Sequence, residues 1–215
     1  MDIRGYIAVG LGLLLGIDVH ECFHAWVADR MGDPTARYMG RISLNPIVHL
    51  DPLGTVMMLA SLLSRWGIGW GKPVPVNPRN LRYGPRIGMG IVSFAGPFAN
   101  LVTAAVVGLP IRLSLHLPGT LSSLFAIVAL TNIGLAIFNL IPLPPLDGYG
   151  VVQGILASIR GPTSYRLSQN LAVLEQQGPF LLFLLILAGQ FMGLNLLGRF
   201  MDPFVSLLSR LILGL

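Results

Sequence analysis

"GIDVHECFHAWVADR", residues 16–30, decides how this chain reads. Its centre is His20, Glu21, Cys22, Phe23 and His24, and it ends the apolar run "GYIAVGLGLLLGI" (5–17). Ionisable groups in a membrane span cost ~2.5–3.5 kcal/mol each on insertion scales and mark functional sites. Here Asp18, His20, Glu21 and His24 fall within seven residues, and Glu21 is one of only two glutamates in the chain. On a helix, positions i and i+4 share a face, so His20 and His24 can hold one metal ion. Glu21 can then reach a water as general base, the arrangement of zinc metalloproteases. Zinc on imidazoles lowers the pKa of water toward ~7 and polarises carbonyls. The three fixed positions also occur by chance on surface helices; the apolar setting favours the metal.

Composition agrees with that setting. The 215 residues are 53% hydrophobic and 11% charged, against roughly 25% charged in soluble domains. A soluble chain of this kind would expose large apolar patches, so an integral membrane protein is expected. The net charge of +5 is spread over loops without basic runs or basic–aromatic interleaving, which excludes a nucleic-acid binder. A single cysteine, Cys22, excludes an intrachain disulfide framework; between motif positions it reads as a packing residue. Residues 1–20 resemble a signal peptide, but no small-residue cleavage site follows and the run ends in the histidine pair. They read as a retained helix.

A spanning helix needs about 20 apolar residues. Segments 5–28, 87–110, 121–141 and 179–197 qualify; 203–215 is a partial span or an interfacial helix. Segment 53–64, "LGTVMMLASLLS", is too short to cross. Arg30, Arg37 and Arg41 precede it, and Arg65, Lys72, Arg79, Arg82 and Arg86 follow it. Both loops read as cytoplasmic by the positive-inside rule, so 53–64 enters and leaves on one side. Region 147–178, with Arg160 and Arg166, reads as cytoplasmic too. The ends of 5–28 and 121–141 therefore share the cytoplasmic side. The fold expected is an all-α polytopic membrane protein, a bundle of about 4–6 transmembrane helices. It carries a re-entrant or short extended segment on the cytoplasmic side. It forms one domain over 1–215, with a core of about 5–155 and C-terminal helices over about 179–215.

A catalytic zinc usually takes three protein ligands. Asp147, in "NLIPLPPLDGYG" (139–150), is a candidate on the same side as the histidines. Pro142, Pro144 and Pro145 bend the chain there, which is tolerated at membrane depth only inside protein or beside a wet cavity. The residues alone leave this reading level with a solvated Asp-Gly turn.

"HECFH" on an early span with "NLIPLPPLDG" on a later one resembles the site-2 protease family of intramembrane zinc metalloproteases. That family's second motif has the form N-x-x-P-x-P-x-L-D-G, met here by Asn139, Pro142, Pro144, Leu146, Asp147 and Gly148. "HAWVADRMGDPTARYMGRISLNPIVHLDPLGT", "GWGKPVPVNPRN" and "AGPFAN" are similar to the compact bacterial and archaeal branch, without PDZ or CBS domains. The resemblance covers roughly residues 15–155. It implies one Zn2+ held by His20, His24 and Asp147, with Glu21 activating the water. It also implies an active site in a multi-pass cell-membrane protein, toward the cytoplasmic side.

The remaining polar residues each have two readings. Asn139 and Asn100 can donate to a substrate carbonyl or oxyanion, or bridge helices. His49, in "LNPIVHLDP", can be an alternative ligand, orient the site from behind or be an interfacial loop histidine; His116 reads as a loop residue. "KPVPV" (72–76) suits an extended segment that pairs with an unwound substrate, or a rigid loop. "GQFMG" (189–193) has GxxxG spacing. Asp18 has no role assigned. The function expected is hydrolysis of transmembrane protein or peptide substrates near the cytoplasmic face, in contact with the lipid bilayer. The alternatives are a non-proteolytic metal-binding membrane protein (transporter or scaffold) and a membrane-anchored protease acting on soluble peptides.

Overall fold

The computed structural model describes residues 3–64, 69–159, 161–191 and 195–214. The chain order is α1 (Ile3–Arg30), α2 (Thr35–Tyr38), α3 (Pro46–His49), α4 (Pro52–Ser64), α5 (Pro85–Arg112), α6 (Gly119–Asn139), α7 (Asp147–Ser158), α8 (Pro162–Phe191) and α9 (Leu196–Leu213). No strand occurs among the described residues; one isolated antiparallel bridge joins Leu50 and Gly71. α1, α5, α6 and most of α8 (Pro162–Gly189) are long and apolar enough to cross a membrane. The expectation of an all-α polytopic membrane protein holds. Arg65, Arg160 and the second half of "GQFMG" lie outside the described residues.

Small residues let the central helices approach closely, the usual device where lipid removes any hydrophobic drive between helices. On α1, Gly12 lies against Thr131 of α6, where an added Cβ would come within 3.0 Å of Thr131 Cβ. A Cβ on Gly90 of α5 would sit 2.8 Å from Gly154 Cα of α7, so those two backbones touch. α9 closes the far side of α5 and α6 over a core of Ala104, Ala129, Ile133, Ile137 and Leu213. Ile3, Ile7, Leu11 and Leu15 of α1 face outward at helical spacing and suit lipid.

α4 holds the short apolar segment 53–64. Thirteen residues reach only about 20 Å. Asp51 Oδ1 caps its start by accepting the Gly54 N–H at 2.8 Å. The chain then returns alongside: Met58 lies against Gly69, Gly54 against Trp70, and Leu50 against Gly71. Residues 69–71 therefore lie back along α4, beside residues 50–58. Residues 72–76 follow without helix or strand pairing.

The C-terminal third differs from expectation. The expected span 179–197 is the second half of a 30-residue helix that begins at Pro162. Its polar first half lacks an apolar stripe but is built from good helix formers such as Leu167, Leu171, Ala172 and Glu175. Pro179, read as a boundary, sits inside it; a proline removes one backbone bond without ending a helix whose neighbours remain paired. α9 likewise begins at Leu196, earlier than 203.

Candidate metal centre

One turn apart on α1, His20 and His24 bring their Nε2 atoms to 2.9 Å of each other. Asp147, the first residue of α7, places Oδ2 3.0 Å from His20 Nε2 and 3.3 Å from His24 Nε2. One donor atom from each of the three lies within 4.8 Å of the others. Residues 140–146 form turns rather than helix, as the prolines require, and Gly148 packs directly on the Leu140 carbonyl. There a side chain would collide.

The hydrogen bonds behind the imidazoles fix their protons. His24 Nδ1 lies 2.7 Å from the Val92 carbonyl of α5, which can only accept, so Nδ1 carries the proton. His20 Nδ1 lies 2.7 Å from Asn100 Oδ1. Asn100 Nδ2 donates to the Gly16 carbonyl (2.9 Å) and to Asn132 Oδ1 (3.0 Å). That orientation leaves Oδ1 to accept from His20. With both rings neutral, the two Nε2 atoms present lone pairs toward a carboxylate oxygen. Such a trio repels itself unless a cation lies among it, and two imidazoles with one carboxylate are a donor set zinc takes. Gly96 of α5 completes the cradle: a Cβ there would stand 2.4 Å from His24 Nε2 and 2.6 Å from His20 Nε2. The residues present fit the ion.

"AGPFAN" thereby acquires a physical meaning. Gly96 and Asn100 are four apart on α5, hence on one face, and that face backs the two histidines. Asn100 is fully buried, and its amide is used up by His20, Gly16 and Asn132, so it has no donor left for a substrate. Asn132, also fully buried, escaped the sequence reading. A lone amide in the middle of an apolar helix was the signal, by the same rule that singled out the histidines. Val92 left no signal, because any residue carries a carbonyl.

Replacing Asn100 by Ala frees the His20 ring to adopt the wrong tautomer. Losing a partner that orients a ligand typically weakens metal binding 10–100-fold. Competition with a zinc-chelating dye is expected to show a drop of that order, with the helical circular dichroism unchanged.

The other candidates lie around this cluster. Glu21 and Asn139 line both cavities at the site: an apolar one of about 860 Å³ walled by α1, α4, α6 and α8, and one of about 210 Å³ over the three donors. Asn139 Nδ2 donates to Leu135 O at 3.0 Å. His49 is fully buried behind α1. Its Nε2 donates to Ser43 O at 2.8 Å and lies 3.7 Å from Asp18 Oδ1. It is not a member of the donor group. Asp18 thus finds its neighbour on the face of α1 away from His20 and His24. Cys22 is buried and His116 is exposed in its loop.

A helical membrane bundle that holds two histidines and a carboxylate around one point defines a membrane metalloenzyme class. The profile of peptidase family M50 matches residues 110–186. The "Putative zinc metalloprotease YwhC" of Bacillus subtilis (strain 168) is 35% identical over 206 residues, 89% of this chain and 91% of that one. The "Putative zinc metalloprotease Rip2" of Mycolicibacterium smegmatis is 31% identical over 150 residues, 69% of this chain and 57% of its own. Rip2 of Mycobacterium tuberculosis (strain H37Rv), named likewise, is 29% identical over the same shares. No solved structure matches the chain. The chain belongs to peptidase family M50, the site-2 proteases, and is a zinc metalloprotease of the membrane.

Proposed function

We propose that this protease cuts membrane-spanning protein substrates near the cytoplasmic face, with zinc held by His20, His24 and Asp147 and with Glu21 as general base. The observation that carries the reading is the convergence of the three donors at the floor of a cavity that Glu21 also lines, beside a larger apolar one. Bound zinc would supply Lewis acidity to a water and to the scissile carbonyl. The Glu21 carboxylate takes a proton from the attacking water and returns it to the leaving amine. Asn100 and Val92 keep both Nε2 atoms unprotonated. Asn139 lines both cavities, and the N–H not given to Leu135 O would donate to the carbonyl oxygen as charge develops on it.

The larger cavity is lined mainly by apolar side chains such as Leu13, Leu135, Phe138, Leu182 and Phe183, which suits a substrate delivered from lipid. Val74 and Val76 line the smaller one, and their backbone N–H and C=O groups make no hydrogen bond among the described residues. An unwound substrate can pair with them by strand addition. The cytoplasmic side is supported by the basic loops that flank α4, since Arg41 and Lys72 sit against the site's own segment.

The test is cleavage in proteoliposomes of a single-span reporter against a soluble peptide of the same scissile sequence. The reporter is expected to be cut near its cytoplasmic end and the soluble peptide far more slowly. Preference for the soluble peptide would overturn the reading.

A further inference from the structure

From the geometry we infer that Arg41 and Asp33 are positioning residues that hold segment 72–76 straight along the donor cluster; the inference rests on the reading above that this segment receives the substrate chain. Asp33 lies between α1 and α2 and Arg41 between α2 and α3, so both follow the helix that carries the histidines.

At the near end, Arg41 is buried and its Nη2 donates to the Lys72 carbonyl and, at 3.4 Å, to that of Pro73. The Lys72 N–H is taken by the His49 carbonyl at 2.7 Å. Gly71, just before, packs on Ile17, and a Cβ there would lie 3.6 Å from Glu21 Oε1. At the far end, Asp33 is fully buried. Its Oδ2 accepts the Asn77 N–H at 2.6 Å, and its Oδ1 accepts from Asn80 Nδ2 at 2.9 Å and Thr35 Oγ1 at 2.6 Å. The Arg82 N–H adds a bond to the Met31 carbonyl at 2.8 Å.

Between these anchors no hydrogen bond holds the chain among the described residues; the Val76 side chain alone packs on the core of Ala28, Leu81 and Val92. Pro73 and Pro75 have no N–H and fix φ, while the polar backbone groups of Val74 and Val76 are left open beside the zinc donors. An isolated stretch of five residues does not stay extended, because fixing each backbone costs about 1–2 kcal/mol in entropy. Arg41 is spent on backbone carbonyls, and Asp33 on the Asn77 N–H and two neutral side chains, rather than on each other, which is otherwise a poor use of buried charge. Burial pushes the Asp33 carboxyl up, but its hydrogen bonds to Thr35, Asn77 and Asn80 outweigh this and hold it below the ordinary value. It is therefore ionised, and the far clamp closed, at neutral pH; the clamp weakens only as pH falls through that lowered value.

The test uses the zinc-loaded full chain in proteoliposomes and, as substrate probe, a synthetic single-span peptide with a Gly-Pro break and a fluorophore–quencher pair. Spin labels on the exposed Lys72→Cys and Arg79→Cys report the end-to-end distance of the segment; the buried Cys22 does not label. Arg41→Ala and Asp33→Asn are expected to broaden that distance distribution. They should raise KM on the order of ten-fold, the effect of about one net hydrogen bond, and leave zinc content and kcat close to wild type. Arg41→Lys should fall between Ala and wild type. An unchanged distance distribution, or a loss of zinc or kcat at unchanged KM, overturns the inference. If the segment loosens and KM stays fixed, the clamp stands and the substrate-pairing reading fails; Val74→Pro, which removes an open N–H as well as the side chain and fixes φ, should then also leave KM unmoved. Should Arg41→Ala not fold, Arg41→Lys and Asp33→Asn carry the same comparison.

Discussion

Glu21→Gln should abolish peptide-bond cleavage while leaving one zinc per chain. The substitution keeps the size and hydrogen-bonding reach of the side chain but removes the basic carboxylate. A positioned general base contributes typically 10²–10⁴-fold, so kcat is expected to fall by about that factor. Glu21 is not among the grouped donors, and the bonds that orient His20 and His24 run to Asn100 and Val92, so metal binding has no reason to change. Zinc measured by atomic absorption alongside the rate separates this from a collapsed site. Full activity in the variant would instead favour a metal-binding protein whose glutamate does no chemistry.

Asp147→Ala carries the other large effect, on the metal itself. It removes one of three donors and leaves two neutral imidazoles. The loss in zinc affinity should exceed the 10–100-fold that an orienting partner is worth. The fold should survive. Asp147 begins α7, where an acidic residue contributes only about 0.3–1 kcal/mol, and α7 is held by its close contact with α5. Asp147→Asn is the control, being of the same shape with a weaker ligand; it should bind zinc between wild type and Ala. Zinc bound as tightly by Asp147→Ala as by wild type would remove the carboxylate from the ligand set.

The expected and observed structures agree where local chemistry is loud. The histidine pair and the proline-rich turn before Asp147 were legible, because ionisable groups in lipid and prolines in series each have few physical explanations. The first half of α8 was not, since polar helix formers without an apolar stripe look like a loop until a neighbouring helix is seen. The shell behind the histidines was only half legible. Asn100 stood out as polar, but whether its amide points at substrate or at His20 depends on which helix lies behind α1, and spacing within one helix cannot say. Asp33 and Arg41 were hidden for another reason: charged residues in a loop ordinarily face water, and only the tertiary fold turns these two inward.

The touching main chains of Gly90 and Gly154 carry a consequence for precision. Side chains can hop between rotamers or lean aside, and a distance set by them is soft. Here the gap between the carboxylate on α7 and the imidazoles backed by α5 is set by main chain resting on main chain, which behaves as a mechanical stop. A single methyl added at Gly154, two turns from Asp147, acts as a shim. It pushes the third donor outward without touching it, so zinc affinity becomes a ruler for the separation of two helices.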